Sequence, residues 1–417
     1  MLARRRPRTT LLLLVLLLLL GCLGGVNLWA YWQLSAATSA WRDDRLDDAR
    51  VHLQRCLQIW PNSVRAHFLG VHIERRAEKF SAAEIHLNEC KRLIGMTDQL
   101  QLEWFMHRAL NGEFPRLEPY LLDRLQQKDP LTPLILETLA QAYAKELRYG
   151  NAHAVLDVWL KSDPDNIRAL ELRSWVRERM ENKDGFYEDS RRILELSPQH
   201  WQVRLRLAEY LLIDFNPKEA AKQLEALGPE KQKLPEVRLV TVRLQILQGN
   251  MEEARRNLDE LIAEKPVVAV LSLRGKVEQD PVRAEQFFRR ALDIDPSYLE
   301  ALFSLFNCLQ QQPNRSQEAA AVKARYERTK KEGAELKEIL QELEKSPGNT
   351  SLMTRAGEMM IKHGNEIFGE HFLYRSLELD RGQVRPHQVL AELYEKRKEP
   401  DKAAFHRKII KQLRDKE

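Results

Sequence analysis

Apolar residues recur three and four positions apart along most of the chain, and short polar turns interrupt them. Steps of three and four return to one face of a helix, so this pattern predicts amphipathic helices throughout and an all-α chain. The stretch Arg283-Ala-Glu-Gln-Phe-Phe-Arg-Arg-Ala-Leu-Asp-Ile-Asp-Pro296 shows the unit most plainly. Ala284, Phe288 and Ala291 fall on one stripe, and Pro296 ends the helix because a proline cannot continue the hydrogen-bond ladder. Small, large, small on one stripe lets a second helix approach closely while one bulky side chain fills the gap.

The unit repeats. Ala49-Arg-Val-His52-Leu53-Gln-Arg-Cys56 is answered by Ala83-Glu-Ile-His86-Leu87-Asn-Glu-Cys90, 34 residues later. Pro130, Pro164 and Pro198 keep the same step, and Pro266 lies two periods beyond Pro198. Ala220 and Leu224 return as Ala254 and Leu258, and Gly357 returns as Ala391. Between Ala254 and Ala284 the step shortens to 30, which predicts a trimmed connection there.

This pattern resembles the tetratricopeptide repeat (TPR), a helix–turn–helix unit of that length. Leu136-x2-Leu139-Ala140-x2-Tyr143, followed by Ala152-x3-Leu156 and Pro164, matches the motif, as does Leu390-Ala391-x2-Tyr394 followed by Ala403. Glu118, Phe186 and Gly369 stand where the small residue of the second helix is expected, so those units depart from the pattern. The resemblance implies a TPR-like α-solenoid, a right-handed superhelix of about ten units running from about Ala30 to the C-terminus. It also implies an inner face lined by the first helix of each unit, with Arg168, Trp175, Arg206, Arg243, Phe303 and Asn307 pointing inward. Aromatics there would anchor a protein or peptide partner and arginines would take its carboxylates. The basic clamp of the family's chaperone-tail binders is absent, because Phe303 stands where its lysine would be.

The N-terminus changes the picture. Residues 1–10 carry Arg4, Arg5, Arg6 and Arg8 and no acid, and Leu11–Trp32 is apolar except for Asn27. Such a helix would reach roughly 33 Å, the thickness of a bilayer's hydrocarbon core. The leading expectation is an uncleaved signal anchor over residues 11–33, with the arginines cytoplasmic and the repeats on the other side, periplasmic if the source is bacterial. Trp29, Tyr31 and Trp32 then occupy the place of an interfacial aromatic belt. Two alternatives stand beside it. Leu19-Leu20-Gly21-Cys22 resembles a lipobox that would be lipidated at Cys22, and Ser35–Ala40 offers small residues for a cleaved secretory peptide.

The remaining segments follow: repeats over 34–327, a charged helix over 328–349 marked by Gly333 and closed by Pro347-Gly348-Asn349, and repeats with a terminal cap over 350–417. The charged stretch reads as a break in register that could serve as a hinge.

The net charge of +5 mostly reports the four N-terminal arginines, so the repeats are nearly neutral and lack the basic excess of a nucleic-acid binder. The cysteines are Cys22, Cys56, Cys90 and Cys308, too scattered for a disulfide framework. There is no phosphate loop, dinucleotide glycine pattern, His-Glu-x-x-His or nucleophile elbow, and the repeats leave no segment for a catalytic domain. The expectation is a non-enzyme without cofactor or metal. His52-x3-Cys56 and His86-x3-Cys90 have metal-ligand spacing, but a buried cysteine replacing the repeat's small alanine explains them more simply. Two functions fit: a membrane-anchored scaffold that holds an envelope partner, or an accessory subunit that binds and positions an enzyme.

Overall fold

The computed structural model describes residues 7–127 and 129–415, with side chains from Gly24 onward. Helices pair as antiparallel hairpins in chain order. The first three are α1 (Pro7–Arg42) with α2 (Leu46–Ile59), α3 (Val64–Arg76) with α4 (Phe80–Ile94), and α5 (Asp98–Arg108) with α6 (Phe114–Gln126). Next come α7 (Thr132–Lys145) and α8 (Tyr149–Ser162), then α9 (Ile167–Arg179) with α10 (Lys183–Leu196), and α11 (Trp201–Ile213) with α12 (Pro217–Glu225) and the short α13 (Pro229–Gln232). Then follow α14 (Pro235–Leu247) with α15 (Met251–Glu264), α16 (Val268–Lys276) with α17 (Pro281–Ile294), and α18 (Leu299–Gln310) with α19 (Ser316–Lys345). The last two are α20 (Thr350–Lys362) with α21 (Glu366–Leu379), and α22 (Val384–Lys396) with α23 (Pro400–Arg414).

Two compact units divide the chain, one of residues 1–146 and 151–172, the other of 147–150 and 173–417. Within each, the cores are drawn from consecutive helices. In the first unit, Leu34, Ala37 and Ala40 of α1 meet Ala49, Leu53 and Cys56 of α2 and Ala66 of α3. In the second, Leu271 of α16 meets Ala284, Phe288 and Ala291 of α17 and Leu302 and Leu305 of α18. Burial against neighbours only is how a solenoid is built. The predicted stripe of Ala284, Phe288 and Ala291 is buried as expected.

The turns inside the hairpins share one device. Asp44, Glu78, Leu147, Glu181, Phe215 and Lys398 all have φ between 54° and 59°, and Gly112, Gly249 and Gly364 do the same work with glycine. Most of these positions are one period apart, so the repeat fixes a left-handed residue at the first helix's end. Three of the turns between hairpins are capped by side chains. Ser63 Oγ accepts from Ala66 N, Thr97 Oγ1 from Leu100 N, and Asn349 Oδ1 from Leu352 N.

Departures from the motif are accommodated locally. At Gly369, α20 and α21 approach so closely that an added Cβ would lie 2.6 Å from the Gly357 carbonyl oxygen. Phe186 is buried and stacks on Tyr210 at 4.1 Å between ring centroids. Glu118 accepts the Tyr143 hydroxyl at 2.9 Å. The shortened step is absorbed by α16, the shortest of the first helices. Gly333 does not interrupt its stretch: α19 is one helix of 30 residues. Its second half carries Ile339 and Leu343 into a core with Met353, Ala356 and Phe372, where Leu147 also packs.

At the N-terminus α1 runs without a break from Pro7 into the first hairpin. The expected anchor side chains over 11–23, Cys22 among them, lie outside the described residues. Among the described residues no helix is long and apolar enough to cross a membrane.

Candidate partner-binding surface

The inner-face positions read from the sequence fall into separate settings. Arg168, in the first unit, is committed internally: its Nε donates to Glu137 Oε1 at 3.1 Å. Glu137 is buried on α7 and also takes a two-pronged pair from Arg76 of α3, both contacts at 2.8 Å. Arg76 further donates to the Trp41 carbonyl at 2.9 Å and lies over the Trp41 ring at 4.5 Å from its centroid. Burial alone would raise the Glu137 carboxyl, but Arg76 and Arg168 outweigh it and hold the group down at about 2. Glu103, one period earlier, repeats the arrangement with His72 at 2.7 Å and Arg75 at 2.7 Å. Burial opposes ionisation there as well, and His72 with Arg75 reverses it to about 2. The cavity between Trp41, His72, Arg76, Glu137 and Gln141 is about 10 Å³, room for one water. Arg168 and the neighbouring Arg75 and Arg76 are therefore engaged by the unit's own buried acids.

In the second unit Trp175 stands edge-on to Tyr149, 5.9 Å between centroids, with Arg179 over its ring at 5.2 Å. Arg206 is ion-paired with Glu178 and lies 5.9 Å over the Phe186 ring. Arg243 faces Glu209 at 3.5 Å. Burial raises the Glu209 carboxyl more than Arg243 and Arg206 lower it, so one acid lies between the two arginines. Arg243 also acts on Glu300, which pairs with Lys276 and accepts the Tyr298 hydroxyl at 2.8 Å. Acids and bases thus alternate along these first helices. A cationic groove is not what the structure builds.

Phe303 differs from the other five. It is 47% exposed on α18, with Tyr326 of α19 at 5.5 Å and Phe306 at 6.5 Å between centroids. Asn307, one turn further on, is half-buried. Lys323 and Lys330 of α19 lie over Phe306 and Tyr326 at 5.6 and 5.8 Å. This aromatic surface with cationic neighbours is the open apolar part of the inner-face set. The sequence pointed to Phe303 and missed Tyr326, which lies at the end of the segment read as repeats, on the helix that runs on into the charged stretch.

The histidine–cysteine pairs are structural. Cys56 and Cys90 are buried in hairpin cores, while His52 Nδ1 meets Gln33 Oε1 at 2.6 Å and His86 Nδ1 meets His67 Nδ1 at 3.0 Å. Gln33 and His67 are themselves one period apart, so the repeat duplicates a polar bridge across each hairpin. Among the described residues no group of three or more His, Cys, Asp or Glu is placed to hold a metal ion.

No protein-family model matches the chain, and no curated protein matches it. Solved structures with some likeness include PilW, a widely conserved type IV pilus biogenesis factor, at 18% identity and a TM-score of 0.40 over 46% of this chain and 90% of that one. A tetratricopeptide repeat protein from Parabacteroides merdae gives 17% and 0.36 over 67% and 98%. The anaphase-promoting-complex hetero-tetramer Cut9–Hcn1 gives 13% and 0.36 over 94% and 82%. Likenesses this remote carry no argument about the chain, whose fold is read from its own hairpins.

Proposed function

We propose that this chain is a membrane-anchored scaffold for protein–protein interaction, presenting its hairpins outside the cytoplasm and binding an envelope protein or a peptide segment of one. The observation that carries the reading is Phe303 with Tyr326. An exposed Phe303 beside the half-buried Tyr326, with lysines next to the rings and ion pairs at most other candidate positions, suits an apolar anchor residue flanked by acidic or carbonyl groups. The four arginines before the apolar run support the orientation. The hairpins account for nearly all the described chain, which supports binding rather than catalysis.

A photo-crosslinking residue at position 303, activated in native membranes, tests this. One defined envelope-protein adduct is expected, and the same residue at the exposed Phe215 should give none. A cytoplasmic protein as the adduct would overturn the orientation, and equal adducts at both positions would overturn the binding surface. A stoichiometric enzyme as the captured protein would make this chain its accessory subunit.

A further inference from the structure

We propose that the segment bound at Phe303 carries two carboxylates, one on each side of its apolar residue, which pair with Lys323 and Lys330 of α19. This rests on the binding surface proposed above and fixes the chemistry of its partner. α19 is divided by charge. Residues 323–331 hold five cations and one acid, and residues 332–344 hold five acids and one cation. The acidic half is met from within the chain. Glu332 pairs with Lys362 at 2.6 Å and meets His363 at 3.1 Å, Glu335 pairs with Arg355, and Glu344 Oε1 accepts from Gly150 N at 3.1 Å. The basic half is not. Among the described residues Lys323, Lys330 and Lys331 form no ion pair, and Arg325 donates to the Pro296 carbonyl. Arg168, Arg206 and Arg243 of the inner-face set each have a carboxylate beside them. The lysines next to Phe303 therefore carry charge that the chain itself does not compensate, on a surface that also exposes an aromatic ring.

Spacing narrows the partner further. Lys323, Tyr326 and Lys330 are separated by three and four residues, so they share one face of α19. At ~1.5 Å per residue the two lysines lie roughly 10 Å apart along the helix. Their ammonium groups stand 5.6 Å over the Phe306 ring and 5.8 Å over the Tyr326 ring, which directs both charges at the aromatic surface. An ammonium is a compact charge that accepts a carboxylate from many directions, without the planar fork that arginine demands. The complementary segment places its acids about 10 Å apart with a large apolar side chain between them. That spacing is seven residues in a helix, or three to four residues in an extended chain at ~3.3 Å per residue. Phe303 and Tyr326 are tilted 45° to each other, so they offer no common flat platform for a stacked nucleic-acid base. Both lysines stand on the second helix of the hairpin, which separates this pairing from the clamp whose lysine Phe303 replaces.

The test repeats the photo-crosslinking at position 303 in native membranes with two doubly substituted chains. Lys323→Glu with Lys330→Glu reverses the charge beside the rings. Lys218→Glu with Lys265→Glu makes the same net change at two exposed lysines elsewhere in the second unit. Adduct yield, at equal amounts of folded chain, is expected to fall about tenfold in the first and less than twofold in the second. Lys323→Gln with Lys330→Gln, which removes the charges without reversing them, should give an intermediate yield. Sequencing of the crosslinked peptide should find acids on both sides of an apolar residue, and replacing those acids by lysine should restore the yield of the charge-reversed chain. A yield that the reversal leaves unchanged, or that falls equally in both Lys→Glu chains, overturns the pairing while the Phe303 surface stands. Absence of any adduct from the unsubstituted chain overturns both. An adduct with nucleic acid or lipid overturns the acidic protein segment as the partner.

Discussion

Phe215 holds a left-handed backbone at φ 54° while its side chain is 81% exposed. That conformation costs an L-residue about 1–2 kcal/mol, and glycine escapes it at an entropic cost of roughly 0.5–1 kcal/mol. Phe215→Gly is expected to stabilise the sixth hairpin by about 0.5–1 kcal/mol, read as a higher denaturation midpoint at unchanged slope. Phe215→Ala keeps the strain and should show no such gain. An equal rise in both variants would mean that the exposed ring, not the backbone, is the source. The period of these turns was visible in the sequence only where glycine marked it, at Gly112, Gly249 and Gly364. At Leu147 and Phe215 the residue type gives no hint of its dihedral, because the two flanking helices impose it.

At the scale of the element, the last hairpin carries a titration. His387 Nδ1 and His406 Nδ1 lie 2.8 Å apart between α22 and α23, so one nitrogen donates and the other must stay bare. Tyr374 meets His406 Nε2 at 3.3 Å, the Tyr394 ring stacks on His406, and Glu370 accepts the Tyr394 hydroxyl. Burial first, then His387, lowers His406 to about 4, with Glu370 opposing weakly. Burial also lowers His387. The folded hairpin therefore binds fewer protons than the unfolded one between its ordinary value of 6.5 and about 4. Its stabilisation is complete above that window and is lost as pH falls through it, by on the order of 3 kcal/mol. Amide exchange, corrected for its intrinsic pH dependence, should show α22 and α23 losing protection between pH 7 and pH 5 more than α17 and α18. His406→Gln should flatten that difference, and a difference that survives the substitution would place the titration elsewhere. The same bridge occurs at the other end of the chain between His67 and His86, both 19 residues apart like His387 and His406.

At the scale of the whole molecule, stability is a sum of hairpins and nearest-neighbour interfaces. Phe288 is buried against Gly275, where an added Cβ would lie 2.6 Å from its ring. Phe288→Ala removes the side chain that fills this close approach and is expected to cost roughly 3–5 kcal/mol. Amide exchange should then rise over 272–309 while the hairpins around Ala49 and Ala83 keep their protection. Loss of protection along the whole chain at once would show a single cooperative globule. The second unit has links of long sequence separation that qualify this picture. Gly150 N donates to Glu344 Oε1 at 3.1 Å and Lys337 pairs with Glu181 at 2.8 Å, so α19 touches turns far from its own hairpin. These two bonds are exposed and add little, but Leu147 joins the same region by packing against the core of Ile339 and Leu343.

The sequence by itself determined the helices, their pairing into hairpins and the order in which hairpins bury one another. Those features depend on stripes of three and four, on prolines and on small residues, all of which act within one period. It also placed Arg168, Trp175, Arg206, Arg243, Phe303 and Asn307 on first helices. Only the tertiary structure decided which inner-face groups remain open. Arg168 is engaged by Glu137 from 31 residues away, and Glu137 is held by Arg76 from 61 residues away. The exposure of Phe303 depends on how α19 runs past it, and Trp60 reaches Asn27 across 33 residues. Ion pairs and ring contacts of this kind depend on the distance between helices in neighbouring hairpins, which small differences in side-chain packing set and a repeat pattern does not encode.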